Sequence, residues 1–303
     1  MRKRNYLITV VCVLMTLLVF VSCGNYAESG TVIIDGKEAA KLVDTNGVIL
    51  VDAQKASAYA KGHIEGAVNI GRTDIVKKGL VVNMLADKAV IEEVFGSRGI
   101  SNSTTVVIYD NNANMDAARL WWTFLVYGHE NVKVVGGGLE EMVRAGFTTS
   151  TEAVNVAPAT FTASEKNTDL IATTAEVLSQ VNDPMDDVAL IDTRTIEEVE
   201  VGTIPSSIHI NYVKNNYNDG TYRKIQDIRI IYKEAGITPD CTAIMYCKTS
   251  IRGAQTFLAL YNAGYRNLKL YDGAWIEWVL DADRPVQLPE NDAPVISNTQ
   301  DES

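Results

Sequence analysis

Short sequence motifs occur twice in this chain, in the same order and roughly 140 residues apart. The run Val48–Asp52 returns as Val188–Asp192. Further along, Thr105–Tyr109 is matched by Thr242–Tyr246. Solenoids repeat about every 20–50 residues, so this longer period predicts two copies of one domain. The length of 303 residues also fits two domains better than one.

Each copy alternates short β-branched runs with stretches of helical periodicity. In the second copy we predict strands at Ala189–Ile191, Ala243–Tyr246 and Leu268–Tyr271. Between the last two lies segment 251–263, whose apolar residues have helical spacing and which Gly264 ends. Because strands and helices alternate, the sequence predicts an α/β fold with a parallel sheet flanked by helices.

The first 22 residues have the pattern of an export signal. Basic residues precede the uncharged run Tyr6–Val21, which at about 16 residues is shorter than the roughly 20 that a spanning helix needs. The sequence before Cys23 resembles the bacterial lipobox, although Phe20 replaces the usual Leu. We expect a lipid on Cys23 and a protein of the bacterial cell envelope, anchored on the periplasmic or surface side. An uncleaved anchor helix is the alternative.

The composition argues against several classes of site. Lys and Arg number 27 against 38 Asp and Glu, and the net charge of −11 disfavours nucleic acid, which needs a basic surface. Three His and four Cys are too few for a multi-ligand zinc site or a disulfide framework. A Gly-rich dinucleotide loop is also absent from the sequence, so no cofactor and no metal is predicted.

Cys247 follows a predicted strand and precedes a predicted helix. Loops at the carboxyl ends of parallel strands bind ligands, and their N–H groups together with the helix N-terminus attract anions. Lys248 and Arg252 add positive charge, so the pattern favours a thiolate at the tip of the loop that is available for covalent catalysis. A buried structural cysteine is the alternative.

We predict no role for Cys241, at the other end of the same strand. Extended backbone separates the two Cα atoms by about 20 Å. A disulfide spans about 7 Å at most, so Cys241 and Cys247 are expected to stay unpaired with each other.

Motifs from both copies of the repeat resemble the rhodanese family, specifically the tandem-domain thiosulfate/3-mercaptopyruvate sulfurtransferases. The matching pieces are Asp52 with Gly62–Ala67, Asp192–Arg194, Cys247 after its apolar strand, and Tyr271–Trp278. The resemblance implies two rhodanese-like domains, each a parallel sheet flanked by helices. Usually only the second domain of this family carries the nucleophile. The corresponding residue of the first copy here is Asp110, whose carboxylate cannot accept a sulfane sulfur, so the first domain is expected to be silent.

The resemblance and the local composition together divide the chain into five parts. These are a lipoprotein signal peptide at 1–22, a non-catalytic rhodanese-like domain at 32–149, a linker at 150–168, a catalytic rhodanese-like domain at 169–288, and a flexible tail at 289–303.

The resemblance also implies a reaction in two halves. The Cys247 thiolate takes a sulfane sulfur from thiosulfate or 3-mercaptopyruvate, and the persulfide passes it to cyanide or a thiol. The expected partners are therefore a small anionic sulfur donor and a thiol or cyanide acceptor. The protein is expected to be a monomer. The substrate-binding positions implied are Lys248, Thr249, Ser250, Ile251, Arg252 and Arg194.

Several positions depart from the family pattern and leave the donor open. Thr249 stands where thiosulfate enzymes carry a second basic residue, and Lys248 where mercaptopyruvate enzymes carry a small one. Ser250 replaces the usual Gly and is strained if that position needs a positive φ. Glu198 stands where the family has a substrate-binding arginine. Arg194 either faces the donor or pairs with a carboxylate.

The other basic and aromatic candidates are expected to have structural roles. Arg72 and Arg119 of the first copy are expected in surface salt bridges, and a position in the cleft between the domains is the alternative. The tryptophans are expected to pack the helices. They are Trp121, Trp122, Trp275 and Trp278.

Two other classes of function remain open. Cys-based phosphatases and arsenate reductases place five residues between Cys and Arg. Here only four separate Cys247 from Arg252, and no His precedes the Cys. The second alternative is a lipid-tethered rhodanese-like protein that carries sulfur or binds a partner without turnover, since fold does not determine function.

Overall fold

The computed structural model describes residues 25–288. The proposed signal, Cys23 and the tail at 289–303 lie outside the described residues. Within 25–288, the chain forms two α/β units of the same design, each a parallel sheet flanked by helices, as the sequence predicts. None of the helices in this range combines the length and the apolar character needed to cross a bilayer.

The first unit contains seven strands and five helices within the described residues. The strands are β1 (Ile33–Ile34), β2 (Val48–Asp52), β3 (His63–Ile64), β4 (Val68–Asn69), β5 (Thr105–Tyr109), β6 (Val132–Val135) and β7 (Thr149–Ser150). The helices are α1 (Gly36–Val43), α2 (Ala56–Tyr59), α3 (Lys88–Ser97), α4 (Met115–Val126) and α5 (Gly138–Arg144), and Arg72–Asp74 forms a 3₁₀ turn.

Apart from β3 and β7, the second unit repeats this order, with five strands and five helices in the described range. The strands are β8 (Ile171–Ala172), β9 (Val188–Asp192), β10 (Ile208–His209), β11 (Thr242–Tyr246) and β12 (Leu268–Tyr271). The helices are α6 (Thr174–Asn182), α7 (Ile196–Glu200), α8 (Ile225–Glu234), α9 (Ile251–Asn262) and α10 (Ala274–Trp278), with 3₁₀ turns at Thr168–Leu170 and Tyr212–Asn215.

Besides a two-stranded antiparallel sheet of β3 and β7, the described residues form two five-stranded sheets, which have the same strand order. It is β1-β6-β5-β2-β4 in the first unit and β8-β12-β11-β9-β10 in the second, and every neighbouring pair is parallel. The central strands β5 and β11 are almost wholly buried, which explains why both read as continuous apolar runs. Because all strands of a sheet are parallel, the loops after β5 and β11 lie at its carboxyl edge.

The two units pack against each other through α4 and α9. Nearly every residue of both helices is buried, so neither shows a polar face. The ring of Trp121 in α4 lies 6.1 Å from that of Phe257 and 5.1 Å from that of Tyr261, both in α9. One hydrophobic core therefore runs through both units. Trp122 and Trp278 are buried as well, in line with the packing role predicted for them.

Each unit also sends a segment across to the loop edge of the other. Residues 76–85 reach the second unit, where the backbone N–H of Leu85 donates to the Asp272 carboxylate at 2.8 Å. Residues 216–222 reach the first unit, where the Asn114 side chain donates to a backbone carbonyl of that segment at 2.8 Å. The loop at the edge of each sheet is thus bounded by the partner unit.

The chain between the units runs along the first unit without regular secondary structure at 151–167. Phe161 and Ala163 are buried there, and the N–H of Ala159 donates to the Gly96 carbonyl at 2.9 Å. The segment therefore packs as an ordered connection.

Candidate active site

Cys247 directly follows β11, and α9 begins at Ile251. The structure confirms the predicted order of strand, cysteine, loop and helix. The loop is also held from its other side, because Trp275 N–H donates to the Cys247 carbonyl at 2.9 Å and Ile276 N–H to the Lys248 carbonyl at 3.1 Å. Helix α10 therefore fixes the backbone on which the sulfur is carried.

Ser250 makes the turn from this loop into α9 with a φ of 62°. This left-handed backbone costs a non-glycine residue about 1–2 kcal/mol, which explains why glycine is the usual residue there. Ser250 is fully buried, and its hydroxyl oxygen lies 2.7 Å from the Thr249 carbonyl oxygen and 3.2 Å from Asp272 Oδ1. These polar contacts hold the serine in its strained conformation.

Arg119 reaches the loop from α4 of the first unit. Its Nη2 lies 2.7 Å from Asp272 Oδ1, its Nη1 donates to Ser250 Oγ at 3.2 Å, and Nη2 also donates to the Asn83 carbonyl at 2.8 Å. The expectation of a surface salt bridge is wrong for Arg119, which is fully buried because α4 is covered by the second unit. A cation of the first unit thus contacts the loop that carries Cys247.

The Cys247 side chain is covered: only 1% of the residue is exposed, whereas the sequence predicts a sulfur at the tip of the loop. The guanidinium of Arg252, the second residue of α9, lies beside this sulfur and pairs with Glu198 through both terminal nitrogens. Burial by itself lowers the pKa of Arg252, but the Glu198 hydrogen bonds and the neighbouring Cys247 raise it above its ordinary value. Arg252 is therefore a permanent cation against the sulfur.

Glu198 holds the outer side of this arginine. Its Oε1 accepts from Arg252 Nη2 at 2.8 Å, and its Oε2 also accepts from the Thr195 N–H at 3.2 Å, at the start of α7. The hydrogen bonds from Arg252 lower the pKa of Glu198 to about 2, against the opposing effect of its partial burial. The sequence marked Glu198 as a departure from the family pattern but did not reveal its pairing with Arg252.

Arg194 and Arg72 pair with carboxylates of their own units. Arg194 is 1% exposed, its Nη2 lies 2.6 Å from Asp192 Oδ2, and its guanidinium stacks 4.3 Å from the Trp275 ring. This matches the carboxylate-pairing alternative; contact with a sulfur donor stays a prediction. Arg72 pairs with Asp116 at 2.6 Å and has 27% of its side chain exposed.

The other predicted binding residues differ in exposure. Lys248 is exposed, Thr249 is half-buried and Ile251 is buried. Across the described part of the chain, Lys248 makes no ion pair. The structure thus brings the backbone of all five loop residues together with Cys247, and leaves Lys248 as an uncompensated charge.

The equivalent loop of the first unit holds an anion of its own. Asp110 follows β5, and its carboxylate accepts four backbone N–H hydrogen bonds. The donors are Asn112 at 2.9 Å and Asn114 at 3.1 Å to Oδ1, and Asp116 at 2.8 Å and Ala117 at 2.9 Å to Oδ2. A loop of this type, joined to a helix N-terminus, is therefore an anion cradle in this protein.

Burial nevertheless raises the pKa of Asp110 to about 6, against the lowering effect of these N–H groups. Like Ser250, Asn114 at the start of α4 has a positive φ, 64°. The two loops therefore share their turn geometry but present a carboxylate in one unit and a thiol in the other.

Cys241 and Cys247 are both free thiols, as the length of β11 predicts. Over residues 25–288, no group of three or more His, Cys, Asp or Glu side chains is placed to hold a metal ion.

Comparison with known sequences gives a consistent relationship. The family model of the rhodanese-like domain matches residues 35–145 and 173–281. A Saccharopolyspora erythraea protein named "Putative thiosulfate sulfurtransferase" is 28% identical over 281 residues, covering 86% of this chain and 97% of its own. A Mycobacterium tuberculosis H37Rv protein of the same name is 30% identical over 263 residues, covering 80% and 92%. The Thermus thermophilus "Sulfur carrier protein TtuD" is 29% identical over 238 residues, covering 73% and 83%.

Among solved structures, the anaerobic ergothioneine biosynthesis enzyme from Chlorobium limicola, in complex with trimethyl histidine, has a TM-score of 0.77 and 22% identity. The match covers 84% of this chain and 70% of that chain. At this level of identity the likeness concerns the fold alone.

Proposed function

Because this chain belongs to the rhodanese-like domain family and carries the domain twice, we propose that it is a sulfurtransferase that works through a persulfide on Cys247. The family relationship supports sulfur transfer in general. The observation that carries the proposal further is the position of Cys247 in a loop that leads into α9, with the Arg252 cation beside its sulfur.

The proposed reaction with thiosulfate balances in two steps. The Cys247 thiolate attacks the outer sulfur of thiosulfate, the S–S bond of the donor breaks, and sulfite leaves with the bonding electron pair. Cyanide or a thiolate acceptor then attacks the terminal sulfur of the persulfide, and the Cys247 thiolate is released. With 3-mercaptopyruvate the thiolate attacks the donor sulfur, the C–S bond breaks, and the enolate of pyruvate leaves with the bonding electron pair and takes up a proton.

Both steps need a site that stabilises negative charge on sulfur. Preorganised N–H groups and cations provide such stabilisation at little cost in reorganisation. The four N–H groups around the Asp110 carboxylate support this role for the loop type, and Arg252, although paired with Glu198, places its guanidinium beside the sulfur. Since Cys247 is 1% exposed, covering side chains have to move before a donor can approach the sulfur.

The test is turnover together with loading of Cys247. The purified protein is incubated with thiosulfate or 3-mercaptopyruvate and cyanide, and thiocyanate is followed alongside intact mass. We expect thiocyanate formation and the gain of one sulfur atom, both lost in Cys247→Ser and both kept in Cys241→Ser, the matched control. Failure to load sulfur from either donor would contradict the proposal.

The second candidate is a non-catalytic sulfur carrier, favoured by the burial of Cys247 and by the relative named as a sulfur carrier protein. The same assay separates the two functions, because a carrier gains one sulfur atom without forming thiocyanate. Turnover of an aryl phosphate that depends on Cys247 would instead indicate the phosphatase alternative.

We also propose that the protein is a lipoprotein of the bacterial cell envelope. The pattern of residues 1–22 and the lipobox-like sequence before Cys23 support this. Incorporation of a labelled fatty acid into the wild type and its loss in Cys23→Ala test the proposal. Equal labelling of both proteins, or none, would contradict it.

A further inference from the structure

We propose that Glu198 sets the charge preference of the site, by occupying the face of Arg252 that an anionic sulfur donor would otherwise bind. The chain would then favour donors with one negative charge or none over the thiosulfate dianion. This inference rests on the proposed sulfur transfer, because it concerns the donor of the same site.

The geometry of the pair carries the first step. Both terminal nitrogens of Arg252 donate to the two carboxylate oxygens of Glu198, in the bidentate arrangement that guanidinium also uses for small oxyanions. Glu198 is fixed in this place by the Thr195 N–H at the start of α7. Of the two side chains, Glu198 is 29% exposed and Arg252 17% exposed, so an incoming anion meets this carboxylate.

The balance of charge around the loop carries the second step. Three arginines of this loop or of its surroundings each face a carboxylate. Arg252 faces Glu198, Arg194, which stacks on Trp275, faces Asp192, and Arg119, which contacts Ser250, faces Asp272. Among the described residues Lys248 is the loop cation that has no ion pair. One uncompensated positive charge matches a donor with a single negative charge, such as 3-mercaptopyruvate. A dianion would instead meet the Glu198 carboxylate at close range.

Glu198→Gln tests this by removing the charge while keeping an oxygen that can accept from Arg252 and Thr195. We expect kcat/KM for thiosulfate to rise roughly tenfold, mainly through a lower KM, because one opposing unit charge is gone. The kcat/KM for 3-mercaptopyruvate should change less. Glu200→Gln is the matched control, since it removes an exposed charge from the same short helix and should leave the ratio of the two values unchanged.

A second measurement does not depend on turnover. Iodoacetate and iodoacetamide alkylate a thiol at the same kind of carbon but differ by one negative charge. We expect Glu198→Gln to raise the ratio of the iodoacetate rate to the iodoacetamide rate at Cys247 about fivefold or more, by the same unit-charge effect. An unchanged ratio, an equal change in Glu200→Gln, or no alkylation of Cys247 in any variant would overturn the inference. Absence of sulfur transfer with a raised ratio would count against the proposed function alone.

Discussion

Arg119→Met tests whether the first unit holds the loop of the second unit in place. Arg119 is fully buried, and its loss leaves the Asp272 carboxylate, in a residue 4% exposed, with the Leu85 N–H and the Ser250 hydroxyl as its neutral donors. Removing one partner of a buried ion pair costs about 3–5 kcal/mol, because the other charge stays buried without compensation. We expect the free energy of unfolding to fall by this amount.

Urea unfolding followed by tryptophan fluorescence measures this change. Arg144→Met is the matched control, because the Arg144 side chain is 47% exposed and its i,i+3 pair with Glu141 should contribute less than about 0.5 kcal/mol. In the double variant Arg119→Met/Asp272→Asn, the free energy of unfolding should fall by about 1–3 kcal/mol less than the sum of the losses in the two single variants. Arg119→Met should also turn over the sulfur donor more slowly than the wild type, since Ser250 loses its contact with Arg119. A loss below about 1 kcal/mol for Arg119→Met would refute the reasoning.

Two further predictions concern the loops themselves. Burial raises the pKa of Asp110 to about 6, so the folded state holds this proton more tightly than the unfolded chain. The wild type should therefore lose stability relative to Asp110→Asn as the pH rises from about 4 to about 6, and parallel unfolding curves over this range would contradict that. Ser250→Gly and Ser250→Ala both delete the hydroxyl, but glycine alone relieves the backbone at a φ of 62°. Ser250→Gly should therefore be more stable than Ser250→Ala by about 1 kcal/mol, and equal urea midpoints would show that the turn stores no strain.

The duplication, the strands and the position of Cys247 could be predicted because they depend on local patterns. The predicted strands Ala243–Tyr246 and Leu268–Tyr271 differ from β11 and β12 by at most one residue. A central parallel strand is buried on both faces, and this produces an apolar run that is readable in one sequence. The left-handed turn at Ser250 could also be anticipated, because the family pattern usually has glycine at this position.

The partners of the charged residues could not be predicted in this way. Arg119 and Asp272 are 153 positions apart in the chain, and their contact exists only because α4 packs on α9. An isolated arginine in a helix is most often solvated, so the sequence favoured a surface salt bridge and was wrong. The pairing of Glu198 with Arg252 has the same origin, since it joins α7 to the start of α9.

The two loops show how one architecture has been used for two different ends. In the first unit, Asp110 fills the cradle with a carboxylate that belongs to the protein, and four N–H groups are satisfied permanently. In the second unit, the thiol of Cys247 stands at the same point after the central strand. The second loop is supported from outside its own unit, because Arg119 contacts both Ser250 and Asp272. The first unit therefore contributes to the site by position, although its own loop carries no nucleophile.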